Sequence, residues 1–547
     1  MANSHERSTD VDAVIVGAGF SGLYMLYRLR ELGFTTRLFE AAGGVGGAWY
    51  WNRYPGARCD SESHYYCYSF SEEVRKEWQW SCRYPAQPEI LDYLNFVAER
   101  LDLKKDIDFD TRVTAGIFDE NGHRWRVETD RGETVRARFL ITAVGNTSAP
   151  SKPAIPGLEN FAGDIFYTAN WPHETVNFAG QRVGLIGTGS SGIQSTPHIA
   201  AAAAYLTVFQ RTANYSVPAR NHLLTDEMRR ELDETHEDLR RMTLASPIGM
   251  PFDLPQASAL AVSAEERQRR YDELWAGGGF RFMFTSFNDL TIDLKANATV
   301  AEYIGAKIRE KVTDPAKAAI LTEFNHPAGT KRPPIDTDYY ETFNRDNVSI
   351  VSIRKNPIRE ITADGLVLED GARHALDTLV FATGFDAVTG SIIRMNLRGK
   401  GGVALKDKWD HGPRAYLGLS SAGFPNMFMI TGPGSPSILA NFPVCIEQHV
   451  DWIADCMVHM RDRNLDEIEA LSGPENDWAR MIAEEADKTL LPLADSWYMG
   501  ANIPGKPRVF LAYPNGIHTY TELCNDVAAR GYEGFVLRSR EMAEAAA

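Results

Sequence analysis

The chain lacks the features of a membrane protein, a disulfide-rich protein or a nucleic-acid-binding protein. No apolar run approaches the roughly 20 residues of a membrane helix, and the first residues, MANSHERSTD, lack the apolar core of a signal peptide. The six cysteines form no CxxC pair, which favours reduced thiols in the cytoplasm. Asp plus Glu number 73 against 57 for Lys plus Arg, and this acidic balance argues against nucleic acid and anionic membrane as partners.

The remaining composition is that of a globular protein with more than one domain. The chain has 547 residues, of which 44% are hydrophobic and 24% are charged. These values predict two or three packed domains rather than a fibrous or disordered chain. There is no short-period repeat, but one local pattern occurs twice, far apart in the chain.

The first copy of this pattern is a strand, a glycine turn and a helix. The apolar run Val11–Val16 predicts a buried parallel strand, the sequence GAGFSG follows at 17–22, and Leu23–Leu32 predicts a helix. Thr36–Phe39 predicts the next strand, and Glu40 follows it, where a carboxylate accepts hydrogen bonds from a ribose. The complete pattern predicts a dinucleotide site.

The glycines of this turn have separate physical roles. Gly17 permits the tight turn, Gly19 lets a pyrophosphate approach the backbone, and Gly22 lets the helix pack close to the strand. The amides at the helix N-terminus favour phosphate oxygens. Because this unit is the first of two and an aromatic, glycine-rich stretch follows it, we expect it to bind FAD.

The second copy follows the proline-rich junction Ala149–Pro156. Arg182–Ile186 predicts a strand, the sequence GTGSSG follows at 187–192, and a helix is predicted through Ala204. The place that Glu40 holds in the first copy is held here by Gln210, followed by Arg211. A carboxylate repels a 2′-phosphate, whereas a guanidinium binds it, so the second cofactor is predicted to be NADP rather than NAD.

The predicted fold class is therefore α/β, with two Rossmann-like dinucleotide-binding domains and a helical insertion. Polar, helix-forming runs predict the insertion. The predicted segments are 1–148 and 387–547 for the FAD-binding domain, 149–215 and 329–386 for the NADP-binding domain, and 216–328 for the insertion. The last segment is expected to carry a substrate loop and a mobile loop near 496–504.

Three further stretches carry a resemblance to a known family. The segment Gly46–Asp60, GGAWYWNRYPGARCD, matches the pattern GGxWxxxxYPGxxxD, and 161–172 matches FxGxxxHxxxWP with Tyr167 at the histidine. The stretch GTKR, with DYYE and FNRD after it, spans 329–346. Together these motifs resemble the type I Baeyer–Villiger monooxygenases, which are class B flavoprotein monooxygenases, over about residues 10 to 540. Taken alone, the first stretch is also compatible with an aromatic loop that fills a core.

The resemblance implies an FAD- and NADPH-dependent enzyme that inserts one oxygen atom next to a ketone carbonyl, giving an ester or lactone. NADPH reduces FAD, the reduced flavin and O₂ form a peroxide at flavin carbon 4a, and its anion attacks the ketone. In this scheme Arg332 is the catalytic arginine beside the flavin and Asp60 is its ion-pair partner. Tyrosine at position 167 cannot carry the positive charge that a histidine can.

The residues and the resemblance together predict three groups of ligand contacts and no metal site. The FAD contacts are Gly17, Gly19, Ser21, Gly22, Glu40, Gly47, Ala48, Trp49, Asp60, Tyr66 and Val113. The NADP contacts are Arg58, Gly187, Thr188, Gly189, Ser190, Ser191, Gly192, Arg211, Thr212, Lys331, Arg332 and Trp497. The substrate pocket is lined by Pro436, Ser437, Ile438, Leu439 and Phe442. The expected partners are a small ketone and O₂, and the chain is expected to be a monomer or a weak oligomer.

Other functions share the two nucleotide sites. Disulfide reductases need a CxxxxC pair after the first unit, where this chain has Trp49. N-hydroxylating monooxygenases lack the GGxWxxxxYPGxxxD pattern. A monooxygenase acting on sulfur or nitrogen, an NADPH oxidase or electron-transfer flavoprotein that releases H₂O₂, and a non-enzymatic NADPH sensor all remain open at this point.

Overall fold

The computed structural model describes residues 9–539. The prediction that the chain has no signal peptide rests on its first residues, and residues 1–8 lie outside this range. Within it, no helix is long and apolar enough to cross a membrane.

The first nucleotide unit belongs to an eight-stranded sheet. The strand Asp10–Val16 pairs in parallel with Thr36–Phe39 on one side and with Thr134–Thr142 on the other. Across the sheet the order is Leu397–Arg398, Val113–Asp119, Arg124–Thr129, Thr134–Thr142, Asp10–Val16, Thr36–Phe39 and Ile107–Asp108, with Met427–Met429 also pairing with Thr134–Thr142. Strands from both ends of the chain therefore build one sheet.

The second nucleotide unit belongs to a separate, five-stranded parallel sheet. Its order is Val348–Ser352, Tyr205–Gln210, Arg182–Ile186, Thr378–Phe381 and Asp164–Tyr167. A three-stranded antiparallel sheet lies beside it, and two small two-stranded sheets complete the strands. These are Ile358–Thr362, Gly365–Leu368 and Arg373–Ala375; Val217–Pro218 with Ile335–Asp336; and Glu467–Ala470 with Phe535–Arg538.

A run of helices at 226–321 lies within the segment for which the insertion is predicted, and the other helices lie between the strands along the chain. The α-helices are Phe20–Glu31, Ala48–Trp51, Glu72–Glu77, Gln87–Arg100, Ser190–Ala202, Asp226–Glu234, His236–Ala245, Ala264–Gly277, Phe280–Thr285, Leu294–Lys311, Pro315–Leu321, Tyr339–Thr342, Gly390–Ile393, Leu405–Lys408, Phe442–Asp462, Ser472–Ala486 and Ile517–Ala529. Short 3₁₀ turns are Lys104–Asp106, Leu158–Asn160, Lys400–Gly402, Pro436–Ile438, Leu491–Leu493 and Trp497–Met499.

The α/β class and both strand–turn–helix units agree with the sequence predictions. One difference concerns residues 134–144: the sequence predicts a strand at Thr134–Arg138, paired with Arg124–Glu128, and a separate buried strand at Phe139–Val144, but the structure has a single strand, Thr134–Thr142. Its first half faces Arg124–Thr129 and its second half faces Met427–Met429, so its change of partner does not interrupt it. Local sequence shows a change in burial along a strand but not which strand lies beside it.

Two linkers, one around Ser151 and the other around Gly384, connect the large sheets and contact each other. The amide of Ser151 donates to the carbonyl of Gly384 at 3.0 Å, and the Thr383 hydroxyl donates to the carbonyl of Ser151 at 2.7 Å. Pro150 and Phe385 form an antiparallel bridge at the same crossing. The two connections between the nucleotide units are therefore paired rather than independent.

Candidate active site

The first glycine turn is held by close backbone contacts. Gly17 has φ of +105°, and a Cβ there would lie 2.7 Å from the carbonyl oxygen of Ala143. A Cβ on Gly22 would lie 1.7 Å from the carbonyl oxygen of Gly17. One on Gly47 would lie 2.9 Å from Cα of Gly19, so the segment 46–60 packs directly on the turn. Side chains larger than hydrogen are sterically excluded at these positions.

The second turn repeats this geometry. Gly187 has φ of +115°, and a Cβ on Gly192 would lie 2.1 Å from the carbonyl oxygen of Gly187. A Cβ on Gly189, however, would meet no described atom within 4 Å. The backbone at Gly189 therefore faces open space at the N-terminus of the helix Ser190–Ala202, where amides favour a phosphate.

Two substitutions in this turn should separate folding from cofactor binding. Gly192→Ala is expected to destabilise the protein by about 1–3 kcal/mol, because its methyl group overlaps backbone. Gly189→Ala is expected to keep the wild-type melting temperature and to weaken NADP⁺ binding, since its methyl group occupies the phosphate approach. Thermal unfolding and NADP⁺ titration measure both effects, and equal loss of stability in the two variants would contradict the assignment.

A large cavity, about 970 Å³, lies at the first glycine turn. The predicted FAD contacts that line it are Gly17, Gly19, Ser21, Glu40, Gly47, Ala48, Trp49, Tyr66 and Val113. Two further predicted contacts, Gly22 and Asp60, are not on its wall: Gly22 packs against the turn, and Asp60 binds Arg332. Arg58, predicted for NADP, lines this cavity and donates to the carbonyl of Tyr84.

The chemistry of the wall fits a flavin dinucleotide. Glu40 is buried, and its two carboxylate oxygens accept hydrogen bonds from the amides of Ala18 at 2.6 Å and Ala42 at 2.8 Å. Burial raises the pKa of this carboxyl group. Three lining residues, Asn52, Asn146 and Thr431, each have a buried polar side-chain atom without a partner in residues 9–539. Such atoms are costly unless a ligand satisfies them, and a flavin has both donors and acceptors.

Several lining residues are absent from the sequence predictions. They are Asn52, Arg112, Asn146, Thr147, Lys152, Arg394 and Thr431. Asn146 and Thr147 follow the strand Thr134–Thr142, so their place at the carboxyl end of a central parallel strand was a usable signal. Arg394 follows the helix Gly390–Ile393, and no local pattern marks it as a cavity residue.

Arg332 and Asp60 form a two-point ion pair. Nε of Arg332 donates to Oδ2 of Asp60 at 2.6 Å, and Nη2 donates to Oδ1 at 2.9 Å. The guanidinium also lies over the Phe280 ring, 4.8 Å from its centroid. Burial disfavours its charge, but the Asp60 carboxylate outweighs burial, so the pKa of Arg332 lies above its usual value. Arg332 is thus a fixed cation whose plane is set by the carboxylate.

Arg211 and Lys331 bring two cations together at the second nucleotide unit. Burial, followed by repulsion from Arg211, lowers the pKa of Lys331. The carboxylate of Asp495 acts in the opposite direction and raises the pKa of Lys331, but Asp495 also forms an ion pair with Arg508 at 2.5 Å. Arg211 is exposed just beyond the strand Tyr205–Gln210, and the adjacent Thr212 carbonyl accepts the Thr188 hydroxyl at 2.7 Å. Ser191 of the same turn accepts a hydrogen bond from Thr168 at 3.1 Å.

The predicted substrate residues and the predicted mobile loop share one apolar cluster. Pro436, Ser437 and Ile438 are buried in a 3₁₀ turn, and Leu439 and Phe442 are partly buried beyond it. Ile438, Leu439, Phe442 and Trp497 belong to the same cluster. Phe442 also lines the large cavity, so this cluster adjoins the predicted flavin site.

The segment 496–504 folds back on a domain linker. Asn502 donates to the carbonyl of Phe385 at 2.7 Å, and the ammonium of Lys506 binds the carboxylate of Asp386 at the same distance. Trp497 lies in the 3₁₀ turn Trp497–Met499 next to the Tyr498 ring. The loop position is therefore coupled to the linker that joins the two nucleotide units. The mobility predicted for it stays a prediction.

Known proteins resemble this chain over almost its full length. Residues 14–250 match the family model described as pyridine nucleotide-disulphide oxidoreductase. A phenazine N-monooxygenase of Lysobacter antibioticus is 44% identical over 97% of this chain and 98% of its own, and a Baeyer–Villiger monooxygenase of Pseudooceanicola batsensis is 42% identical over 98% and 97%. The structure of an oxidized steroid monooxygenase bound to NADP is 50% identical, with a TM-score of 0.92 over 97% of this chain and 100% of that chain.

The two glycine turns, their separate sheets and the adjoining cavity define a flavoprotein with two dinucleotide-binding domains. Within that class, the chain belongs to the Baeyer–Villiger monooxygenase family. The predictions of the family, the fold class, the enzymatic activity and the cofactors FAD and NADPH are confirmed.

Proposed function

We propose that the enzyme oxidises a small ketone to an ester or lactone at the junction of the large cavity and the Arg332–Asp60 pair. The observation that supports this proposal is the fixed guanidinium of Arg332, which Asp60 holds by two hydrogen bonds beside the nucleotide units. A permanent cation stabilises the negative oxygen that develops when a ketone carbonyl is attacked. When bound, FAD supplies the redox chemistry that NADPH and O₂ require.

The residues of the chain have distinct roles in this proposal. Asp60 orients Arg332, and the aromatic rings of Trp49 and Tyr66, joined by a hydrogen bond of 3.1 Å, form an apolar wall of the cavity. Arg211 and Lys331 bind the 2′-phosphate of NADPH, while the turn 187–192 binds its pyrophosphate. The cluster that holds Ile438, Leu439, Phe442 and Trp497 excludes water and contacts the ketone.

Product analysis tests this function directly. The purified flavoenzyme is given NADPH with linear, cyclic and aromatic ketones, and products are identified by mass. We expect esters or lactones that carry one added oxygen atom. NADPH consumption that yields only H₂O₂ with every ketone would contradict the proposal.

A second candidate is oxygenation of an aromatic ring nitrogen. It is favoured by the similarity to the phenazine N-monooxygenase. Adding phenazine and an aryl sulfide to the same panel separates the two activities, because an N-oxide or sulfoxide keeps the carbon skeleton intact. Preferential formation of the N-oxide over any ester would make this candidate the main activity.

We infer that the domain boundaries follow the two large sheets, since the segments 1–148 and 387–547 supply one sheet and the segments 149–215 and 329–386 supply the other.

A cytoplasmic location is supported by the six cysteines, all of which are free and five of which are buried. A monomer or weak oligomer remains our proposal for the assembly state, which gel filtration tests.

Tyr167 stands where the family pattern has a histidine, and its ring makes contacts with two neighbouring side chains. The Tyr167 ring stacks on the Phe381 ring, with centroids 5.2 Å apart. The ammonium of Lys152, which lies in the proline-rich linker, is 5.2 Å from the centroid of the Tyr167 ring. Lys152 also lines the large cavity. The tyrosine thus ties the second sheet to a linker that reaches the flavin site.

We therefore expect the ring, rather than the hydroxyl, to matter at position 167. Tyr167→Phe should form ester within about twofold of the wild-type rate, because stacking and the cation–π contact survive. Tyr167→Ala should release more H₂O₂ per NADPH, because the linker loses its brace. The ratio of peroxide to ester measures both, and equal coupling in the two variants would contradict this role.

A further inference from the structure

The segment 46–60, which carries Asp60, contacts both nucleotide units. On one side it packs on the first glycine turn and lines the large cavity. On the other side it reaches the second unit, where the amide of Trp171 donates to the carbonyl of Trp51 at 3.2 Å. The position of Asp60 therefore depends on how this segment is held between the two units.

Gln194 joins this segment to the helix Ser190–Ala202 by three hydrogen bonds. Its side-chain oxygen Oε1 accepts the hydroxyl of Tyr54 at 2.9 Å and the amide of Arg58 at 3.3 Å. Its Nε2 donates to the carbonyl of Arg58 at 3.1 Å. One side-chain amide thus binds both backbone groups of a single residue, as a paired antiparallel strand does.

The backbone at Gly56 lies against the same helix, next to these hydrogen bonds. A Cβ on Gly56 would lie 2.4 Å from the carbonyl oxygen of Gln194 and 2.4 Å from Cδ2 of His198. Gly56 has φ of +84°, which glycine adopts without strain. The segment and the helix are therefore in direct backbone contact where Gln194 joins them.

Gln194 stands between the phosphate turn and the ion pair of the proposed site. The turn 187–192, to which the proposed function assigns the pyrophosphate, opens the helix that carries Gln194. Arg58, which Gln194 binds, lies two residues before Asp60. Asp60 in turn holds the guanidinium of Arg332 by two hydrogen bonds. A continuous path of contacts from the NADPH phosphates to the fixed cation therefore passes through Gln194.

We propose that Gln194 is a positioning residue that transmits occupancy of the NADP site to the segment 46–60 and so holds Asp60 and Arg332 in place for the reaction. A phosphate bound at the start of a helix orders the next turn, so Gln194 then loses less freedom when it binds the segment. The inference rests on the proposed function for the binding of the pyrophosphate and for the role of Arg332.

Hydrogen–deuterium exchange of the FAD-loaded enzyme, followed by mass spectrometry, measures this coupling. Exchange is recorded in the peptides that contain residues 54–60 and 187–198, with and without saturating NADP⁺. In the wild type, NADP⁺ should slow exchange in both peptides, and in 54–60 by about fivefold or more, the lower end of coupling between two sites. The measurement uses no ketone and no turnover.

Three variants sharpen the experiment. Gln194→Met removes all three hydrogen bonds, so NADP⁺ should slow exchange in 54–60 by less than about twofold, below the effect of one neutral hydrogen bond. Tyr54→Phe removes one of the three and should give an intermediate value. The matched control Ser195→Ala loses a bond to the carbonyl of Ser191 within the same helix and should respond to NADP⁺ as the wild type does.

Turnover supplies a second readout, which a loss of stability alone would not produce. Gln194→Met should keep a Kd for NADP⁺ near that of the wild type, because the phosphate turn and the two cations are unchanged. Its release of H₂O₂ per NADPH in the presence of a ketone should rise about twofold or more, the lower limit for loss of one neutral hydrogen bond.

NADP⁺ that leaves exchange in 54–60 unchanged in the wild type would overturn the coupling. Slowing that persists in Gln194→Met, as direct contact between the nucleotide and the segment would produce, would overturn the role of Gln194. Loss of the slowing in Ser195→Ala would do the same, because any weakening of the helix would then suffice. A wild type that forms no ester from any ketone would instead overturn the proposed function, while the exchange results still decide the coupling.

Discussion

Arg332→Ala is expected to lower the rate of ester formation by about 100- to 1000-fold, the loss seen when one preorganised stabiliser of developing negative charge is removed. Flavin reduction by NADPH should continue within about tenfold of wild type, because hydride transfer does not need this cation. Stopped-flow flavin bleaching and product analysis measure the two steps separately. The physical reason is the fixed charge that Asp60 holds by two hydrogen bonds.

Two further variants isolate the geometry from the charge. Arg332→Lys keeps a cation but loses the planar fork that binds Asp60, so we expect intermediate activity. Arg354→Ala removes an exposed arginine beyond the strand Val348–Ser352 and should leave both steps unchanged. Ester formation at the wild-type rate by Arg332→Ala would remove Arg332 from the reaction.

Arg211→Ala should raise KM for NADPH by about 10- to 150-fold, the equivalent of a charged hydrogen bond of about 1.5–3 kcal/mol. KM for NADH should stay nearly constant, because NADH has no 2′-phosphate. Lys331→Ala is expected to act in the same direction, since repulsion from Arg211 on Lys331 shows that the two cations lie close together. Initial rates with each nucleotide measure this selectivity.

The double variant adds a test of shared function. If both cations bind one phosphate, their effects on NADPH should not be additive, because each residue alters the site of the other. Arg359→Ala, a surface arginine paired with Glu360, is the matched control and should leave both KM values unchanged. An equal loss with NADPH and NADH would contradict the assignment of the 2′-phosphate.

Local sequence predicted the nucleotide units well because their physics is local. A buried strand, a glycine turn and a helix are consecutive, and the glycines are required by contacts such as the one between Gly22 and the carbonyl of Gly17. The exchange of Glu40 for Gln210 and Arg211 also lies at fixed spacing within each unit. Cofactor preference could therefore be inferred without any long-range contact.

Other parts of the site could not be inferred in this way. The wall residue Arg394 comes from a segment far along the chain, where nothing local indicates that it returns to the first sheet. The single strand Thr134–Thr142 was predicted as two for the same reason: its neighbours are distant in sequence.

The sequence by itself determined the two dinucleotide units, the likeness to the Baeyer–Villiger monooxygenases and the residue types at Asp60 and Arg332. The likeness implied that these two side chains pair, but only the tertiary structure decided their two-point geometry, because 272 residues separate them and their contact depends on how the domains and the insertion pack. Periodicity and turn chemistry act between neighbours in the chain, whereas a cavity wall or an ion pair between domains is set by the packing of elements that the chain order keeps apart.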